Sequence, residues 1–172
     1  MEAQAEASVI LIGDQNIGKS KAVQEYLYGA HSDSYTPTVL EEYTANITVY
    51  SHTIAIKIVD TSGTQKHQVF REKFFPEVDV ILVCFSCQRS FNSVTSKWHR
   101  ELKSNAPNTP VLLVELEDSQ VLHTQAWSLC SELGYEAFLP KCPSKQVFDA
   151  AFKLALSEKL RSSKKKGKCI TF

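Results

Sequence analysis

Hydrophobic positions along the chain form short continuous or alternating runs, separated by stretches of helical spacing. Continuous apolar runs that end at turn residues predict buried strands, and two alternating runs around Ser51-His52 predict a hairpin. The predicted strands are Val9–Ile12, Thr44–Tyr50, Thr53–Asp60, Asp79–Phe85, Val111–Val114 and Ala137–Leu139.

Helical spacing lies between these strands. The predicted helices cover Lys21–Tyr28, an irregular stretch Thr64–Phe75, the apolar stripe Phe91, Val94, Trp98 and Leu102, the segment Thr124–Leu133, and a last helix with the apolar face Val147, Phe148, Ala151, Leu154 and Ala155. Residues 29–39 are rich in Ser, Thr and Pro and predict a loop, and residues 1–7 predict a disordered leader. Strands that alternate with helices predict an α/β fold with a mainly parallel sheet.

Composition adds a charge asymmetry to this picture. The 172 residues predict one domain, and an apolar fraction of 43% allows a substantial core. Residues 159–172 carry six of the 19 basic residues and no acidic residue, so residues 1–158 hold 13 basic against 19 acidic residues. A basic tail on an acidic body favours an anionic membrane surface over nucleic acid as the partner.

A glycine-rich segment follows the first predicted strand and precedes the first helix. It matches the pattern G-x-x-x-x-G-K-[ST] and reads Gly13-Asp14-Gln15-Asn16-Ile17-Gly18-Lys19-Ser20. The two glycines allow backbone N–H groups to point into one concavity at the start of the helix, where oxyanions bind. Lys19 would reach the β- and γ-phosphates and Ser20 would ligate Mg²⁺, so the segment predicts a phosphate-binding loop.

Two further segments complete this predicted site. Asp60 ends a strand facing the phosphate loop, which is the place for a carboxylate associated with Mg²⁺. The Gly63 N–H would meet a γ-phosphate, and the Thr38 hydroxyl would complete the Mg²⁺ shell. The predicted metal ligands are therefore Ser20, Thr38 and Asp60.

Several motifs outside the phosphate loop point to one family. They are Tyr35-Thr36-Pro37-Thr38-Val39 followed by Glu42-Tyr43, Asp60-Thr61-Ser62-Gly63, the run from Asp79 to Ser86, Lys97-Trp98, Pro107-Asn108-Thr109-Pro110 and the C-terminal Cys-x-x-x box. With these motifs the chain resembles a small GTPase of the Ras superfamily, and most of all the Rho family. The resemblance implies a P-loop small G domain over residues 8–160. Its fold would be a mainly parallel six-stranded sheet with one antiparallel edge hairpin and helices on both faces.

The resemblance also implies ligands and partners. A member of this family binds GTP or GDP with Mg²⁺ and has two switch segments, here about residues 30–43 and 63–75, which the γ-phosphate orders. Effector proteins bind in this neighbourhood, and we expect a monomer without a nucleic-acid partner. The predicted effector-binding residues are Val39, Leu40, Glu42 and Tyr43.

Two positions depart from the family pattern where GTP is hydrolysed. Thr64 stands where the family has its hydrolytic glutamine, and threonine is too short to orient the attacking water. Gln15 stands where the family has glycine, and its side chain would crowd the γ-phosphate. Gln65 is shifted by one residue, so its side chain would point elsewhere. Similarity to the GTPase-deficient Rnd branch therefore predicts inefficient hydrolysis.

The segments that read guanine in this family are also altered. After β-strand residue Val114 the chain has Glu115 to Ser119 in place of Asn-Lys-x-Asp, and a one-residue deletion would place Asp118 at the base-reading position. The degraded base-binding set is His31, Glu117 and Asp118. Losing buried polar readers predicts weaker affinity and a weaker choice of guanine. The helical insert typical of Rho proteins is expected to be absent.

Residues 161–172 form a polybasic tail that ends in Cys169-Ile170-Thr171-Phe172. The last four residues fit a C-a-a-X box, and a terminal Phe suggests geranylgeranylation of Cys169. One lipid holds a membrane only marginally, and Lys164–Lys168 would supply a second, electrostatic signal. We expect a lipid-anchored protein on the cytoplasmic face of the plasma membrane or of endomembranes.

Three interpretations of the whole sequence stay open. The first is a Rho-like switch that binds GTP and hydrolyses it poorly. The second is a pseudo-GTPase, a lipid-anchored scaffold with a vestigial nucleotide site. The third is a slowly cycling GTPase in which Gln65 or a partner restores hydrolysis. The retained phosphate and metal residues favour the first, the altered base readers favour the second, and Thr64 and Gln15 argue against the third.

Overall fold

A six-stranded sheet forms the centre of the protein. The computed structural model describes residues 5–30, 38–49 and 52–165. The strands are β1 (Ala5–Gly13), β2 (Leu40–Val49), β3 (His52–Thr61), β4 (Val80–Phe85), β5 (Val111–Glu115) and β6 (Ala137–Leu139). They lie in the order β2-β3-β1-β4-β5-β6, with β2 and β3 antiparallel and the other neighbours parallel. The predicted parallel sheet with an antiparallel edge hairpin is confirmed.

Helices occupy the connections between the strands. They are α1 (Lys19–Tyr28), α2 (Gln68–Glu72), α3 (Gln88–Ser93), α4 (His99–Asn105), α5 (His123–Leu133) and α6 (Ser144–Lys165). A π-helical segment, Val94–Trp98, joins α3 to α4, and 3₁₀ turns at Gln65–His67 and Phe75–Glu77 flank α2. The predicted irregular helix thus consists of short helical pieces around α2.

Both faces of the sheet are buried, because its central strands carry apolar side chains at successive positions. In β1, Val9 and Leu11 pack into one core, and Ile10 and Ile12 pack into the other. Helices α1 and α6 cover the first face, and the helices from α3 to α5 cover the second. The prediction of helices on both faces is confirmed.

Two predicted domain boundaries fall inside regular elements of the structure. β1 begins at Ala5, which pairs with Ile54 of β3, so residues 5–7 belong to the sheet and not to a disordered leader. α6 continues to Lys165, so the predicted start of the tail at residue 161 lies inside a helix. In both places the element extends beyond its apolar run, and the periodicity of apolar residues gives no signal there.

The connection between β5 and α5, residues 116–122, contains no helix. It leaves the carboxyl end of β5 and lies next to the segment that leaves β6. These residues therefore lie at the carboxyl ends of the parallel strands, next to the candidate site. Among the helices of the described residues, none has the length and apolarity needed to cross a bilayer.

Candidate functional site

The candidate site lies at the carboxyl ends of the parallel strands. From the central strand β1, the chain goes first to β2 and β3 on one side and then to β4 on the other. Ligands of open α/β sheets bind where the strand order reverses in this way. The segment Gly13–Ser20 connects β1 to α1 at this point, and Asp60 lies near the end of the neighbouring β3.

The phosphate loop follows a path that is fixed at two points. Gly13 has φ +148°, and a Cβ atom there would lie 2.5 Å from the carbonyl oxygen of Cys84, so only glycine fits. Ile17 is buried in the core beneath the loop, whereas Gln15 and Asn16 are exposed. Apolar and steric constraints therefore anchor the loop and leave these two side chains at the surface.

Lys19 is the buried cation of the site, with 6% of its surface exposed. Its Nζ atom donates to the carbonyl oxygens of Gly13 at 3.0 Å and of Asp14 at 2.7 Å. Burial lowers the pKa of Lys19, although the nearby carboxylate of Asp60 acts against this shift. An anion bound at the loop would further favour the charged ammonium.

Oxygen atoms from three segments meet beside the loop. The Ser20 hydroxyl donates to one Asp60 carboxylate oxygen and lies 2.9 Å from the Thr38 hydroxyl. The other oxygen, Asp60 Oδ1, is buried without a hydrogen-bond partner among the described residues, and burial raises the pKa of this carboxyl. An unsatisfied carboxylate oxygen beside two hydroxyls fits Mg²⁺, which prefers oxygen ligands. The three predicted metal ligands are therefore brought together.

The segment that ends in Gly63 packs directly onto the phosphate loop. A Cβ atom on Gly63 would overlap the backbone of Asp14 and Gln15, so no side chain fits at this position. Lys97 also fixes the backbone at Gly63, because its Nζ atom donates to the Gly63 carbonyl oxygen at 2.7 Å. The two predicted phosphate-binding segments are therefore in contact.

The phosphate-loop pattern did not reveal what the side chain of Asp14 does. Its carboxylate oxygens accept hydrogen bonds from Trp98 Nε1 at 2.9 Å and from Ser93 Oγ at 2.7 Å. Charge-assisted bonds of this kind tie the loop to the helical region after β4. One signal was present in the sequence, since a buried Trp98 needs an acceptor for its indole N–H.

Arg71 is a second residue that the sequence patterns missed. The guanidinium is fully buried and donates to the carbonyl oxygens of Ser62 at 2.8 Å and of Thr64 at 2.6 Å. It also pairs with the carboxylate of Glu101 on α4. The backbone on both sides of Gly63 is therefore fixed to the helix behind it.

The side chains at the predicted hydrolytic positions are engaged with near neighbours. The Thr64 Oγ1 atom lies 3.0 Å from Ser62 Oγ and 3.0 Å from His67 Nδ1. Gln65 is exposed, and its amide donates to the side chain of Gln68 one turn later. The Gln65 amide is thus paired along its own helical segment.

A cavity of about 460 Å³ adjoins the phosphate loop on the side of β5 and β6, where the family resemblance places the base. Its lining includes Gly18 of the loop, Lys21 of α1, Glu117 after β5 and Lys141 after β6. Asp118 is exposed and does not line this cavity. Of these two residues of the predicted base-binding set, Glu117 therefore lines the cavity and Asp118 does not.

Glu115 holds the two loops of this cavity together. It is 3% exposed, and its carboxylate accepts hydrogen bonds from the backbone N–H groups of Ser119 and Lys141, each at 3.1 Å. The Ser119 hydroxyl also donates to it, and His123 Nε2 lies 3.1 Å away. Burial disfavours the charged form, but these hydrogen bonds hold the pKa of Glu115 below its usual value.

We expect Glu115→Gln to flatten the acid limb of the stability profile, which is the fall in the free energy of unfolding below about pH 5. A carboxylate with a depressed folded pKa contributes stability that is complete above its unfolded pKa, near 4.5, and is lost as pH falls through the lower folded value. Urea unfolding should show a loss of about 1–3 kcal/mol at neutral pH. The further loss between about pH 5 and pH 3 should be smaller than in the unaltered protein.

The matched control for this variant is Glu132→Gln, at an exposed position of α5. It should leave both the unfolding free energy and its pH dependence unchanged. If Glu115→Gln has the same acid limb as the unaltered protein, the carboxylate does not hold the loops through its charge.

The predicted effector-binding residues lie on β2 and directly before it. Val39 is 50% exposed, and the half-buried Leu40 packs against the core. Glu42 is exposed and pairs with Lys57 at 2.7 Å, and the half-buried Tyr43 donates its hydroxyl hydrogen to a neighbouring glutamate. Of the four predicted residues, one apolar and one acidic residue, Val39 and Glu42, are therefore exposed.

Some predicted features lie outside the described residues. These are His31 at the base, Cys169 at the lipidation box, and the lysines of residues 166–168 in the tail. Lys164 and Lys165 are the last two residues of α6.

Comparison with known proteins gives a result consistent with this geometry. Residues 8–158 match the family model described as the Ras family. The chain is 30% identical to the Rho-related GTP-binding protein RhoV of Homo sapiens, and equally to those of Rattus norvegicus and Bos taurus. Each alignment covers 91% of this chain and 77% of the relative. The chain therefore belongs to the Ras family of small GTPases and is related to its Rho members.

Proposed function

We propose that this chain is a Rho-like GTP-binding switch that hydrolyses GTP poorly and acts through effector proteins at a membrane. The convergence of Ser20, Thr38 and Asp60 Oδ1 beside Lys19 carries the proposal, since this carboxylate oxygen is buried and has no partner in the part of the chain that the structure describes. These groups match the needs of a triphosphate and Mg²⁺. Bound Mg²⁺ would neutralise phosphate charge, while Lys19 would direct its ammonium at the phosphates.

Poor hydrolysis is supported by the side chains around Gly63. The Thr64 hydroxyl is short and bonded locally, and the Gln65 amide is paired with Gln68. These local bonds support the proposal that neither side chain orients a water molecule at a γ-phosphate, which is the task of the family glutamine. Gln15 adds a side chain at the rim of the same loop.

Effector binding is supported by exposed apolar residues on two adjacent segments. Val39 is 50%, Val69 64% and Phe70 49% exposed. The Ser62 N–H donates to the Val39 carbonyl oxygen at 3.1 Å, which joins the segment before β2 to the segment after β3. A conformational change at Gly63 would therefore be transmitted to both parts of this surface. Prenylation at Cys169 and the basic tail would hold the switch at a membrane.

The nucleotide carried by the purified protein tests this proposal. Denaturing fresh protein and separating the released nucleotide by chromatography should give near-stoichiometric triphosphate and little GDP. Lys19→Ala should purify without nucleotide, because the phosphates lose their buried cation. A predominance of GDP would mean that hydrolysis survives, as the slowly cycling interpretation holds.

The pseudo-GTPase scaffold is the second candidate. The observation that favours it is that Glu117, which lines the cavity beside the phosphate loop, is already paired with two lysines. Purification without nucleotide, and no binding of added GTP with Mg²⁺, would support this candidate and reject the switch.

A further inference from the structure

Two ion pairs that share Glu117 cross the cavity beside the phosphate loop. Glu117 Oε1 lies 3.3 Å from Lys21 Nζ, and Glu117 Oε2 lies 3.3 Å from Lys141 Nζ. We call these three residues the Glu117 bridge. It connects α1 with the segments that follow β5 and β6, so it joins three of the segments that line the cavity.

The bridge lies immediately beside the phosphate loop. A Cβ atom on Gly18 would be 3.9 Å from Glu117 Oε1, and Lys21 is the residue directly after the loop. A nucleotide with its phosphates on the loop would therefore bring its base to these three side chains. The base would meet one carboxylate, which accepts hydrogen bonds, and two ammonium groups, which donate them.

These side chains are poor discriminators because about half of each is exposed to solvent. Their exposed fractions are 42% for Lys21, 43% for Glu117 and 52% for Lys141. Strong discrimination requires buried polar groups that are left unpaired by the wrong ligand. Exposed groups turn to water or to each other when a base does not match them, so a mismatch costs little.

We infer that this cavity takes nucleoside triphosphates through their phosphates and selects only weakly among their bases, because the Glu117 bridge stands where a guanine-reading site would be. Guanine can donate from N1 and N2 to Glu117 and accept at O6 from a lysine. Adenine can donate from N6 to Glu117 and accept at a ring nitrogen. The inference rests on the proposed function, since it requires a triphosphate on the phosphate loop.

Calorimetric titration of the full chain, stripped of bound nucleotide, with MgGTP and with MgATP tests the inference. The two dissociation constants should agree within about tenfold, whereas a buried reading site separates such ligands by about 10⁴ or more. A larger preference for GTP overturns the inference and leaves the proposed function intact. Failure of both ligands to bind overturns both.

Lys141→Ala tests the bridge itself. It frees one Glu117 oxygen to accept from guanine N1 and N2, so the preference for GTP over ATP should rise about threefold or more, the scale of one exposed hydrogen bond. Lys145→Ala is the matched control, since Lys145 is an exposed lysine that pairs with Asp149 at 2.8 Å outside this cavity. An equal GTP-to-ATP ratio in the two variants removes the bridge as the cause of weak selection.

Discussion

Replacing Arg71 with methionine should destabilise the protein by about 3–5 kcal/mol, the range observed when one partner of a buried ion pair is removed. Arg71 is fully buried and Glu101 nearly so, and two guanidinium nitrogens donate to the two carboxylate oxygens at 3.0 and 2.9 Å. Methionine would leave the Glu101 carboxylate buried without its counter-ion. The guanidinium also lies 5.0 Å from the ring centre of Trp98, and this cation–π contact would be lost as well.

The double variant Arg71→Met with Glu101→Leu separates the cost of the orphaned charge from the worth of the pair. Replacing both members of a buried pair with apolar residues is often neutral, so the double variant should recover much of the lost stability. Urea unfolding of the two single variants and the double variant measures the coupling. A single variant within about 1 kcal/mol of the unaltered protein would contradict a buried, obligate pair.

The same substitution should loosen the segment around Gly63. Arg71 donates to the carbonyl oxygens of Ser62 and Thr64, and both would lose a donor. Amide hydrogen exchange over residues 62–72 should accelerate to a similar extent in Arg71→Met and in the double variant, because both lack the two contacts with these carbonyl oxygens. Acceleration in Arg71→Met alone would show that the global loss of stability, and not the loss of these contacts, opens the segment.

The central sheet was predictable because its strands are buried on both faces and carry continuous apolar runs. The ends of β1 and α6 were not, because Ala5–Ala7 join the sheet by pairing with β3, and the last turns of α6 have no apolar period. Backbone pairing is decided by the neighbouring strand, which a local pattern does not contain.

The phosphate loop was predictable because its constraints act within one short segment of the sequence. A loop that curves its N–H groups inward needs glycine at fixed positions, so its spacing is visible in one short segment. The contacts of Asp14 with Trp98 and of Arg71 with Glu101 join residues that are 84 and 30 positions apart. Buried polar pairs of this separation leave no periodic signal in a single sequence.

The base end of the site was predictable only in part. Both Glu117 and Asp118 belong to the predicted base-binding set, and of these two Glu117 lines the cavity, whereas Asp118 is exposed outside it. The register of a strand is set by its buried face, and Glu115 at the last β5 position pairs in register with Phe85 of β4. The loop after it therefore begins at a fixed point, which gap placement in a motif comparison ignores.

The double reversion to the family residues, Gln15→Gly with Thr64→Gln, should raise the rate of GTP hydrolysis by about a hundredfold, the lower end of what one positioned catalytic group contributes. Thr64 bonds to Ser62 and His67 and is too short to reach a water at the γ-phosphate. Gln15 is exposed on the loop, and its backbone nitrogen lies close to Gly63. Because the proposal has both residues act on the same water, either single reversion should give much less than the pair.

Single-turnover release of phosphate from protein loaded with saturating GTP measures this gain. Gln65→Ala is the control, and it should leave the slow rate of the unaltered protein unchanged, because the Gln65 amide is paired with Gln68. A double reversion with no gain would mean that the barrier lies elsewhere, for example in the contacts of Arg71 that fix the Thr64 backbone. Loss of the residual rate in Gln65→Ala would instead establish that this glutamine leaves its partner and takes over the catalytic position, as the slowly cycling interpretation requires.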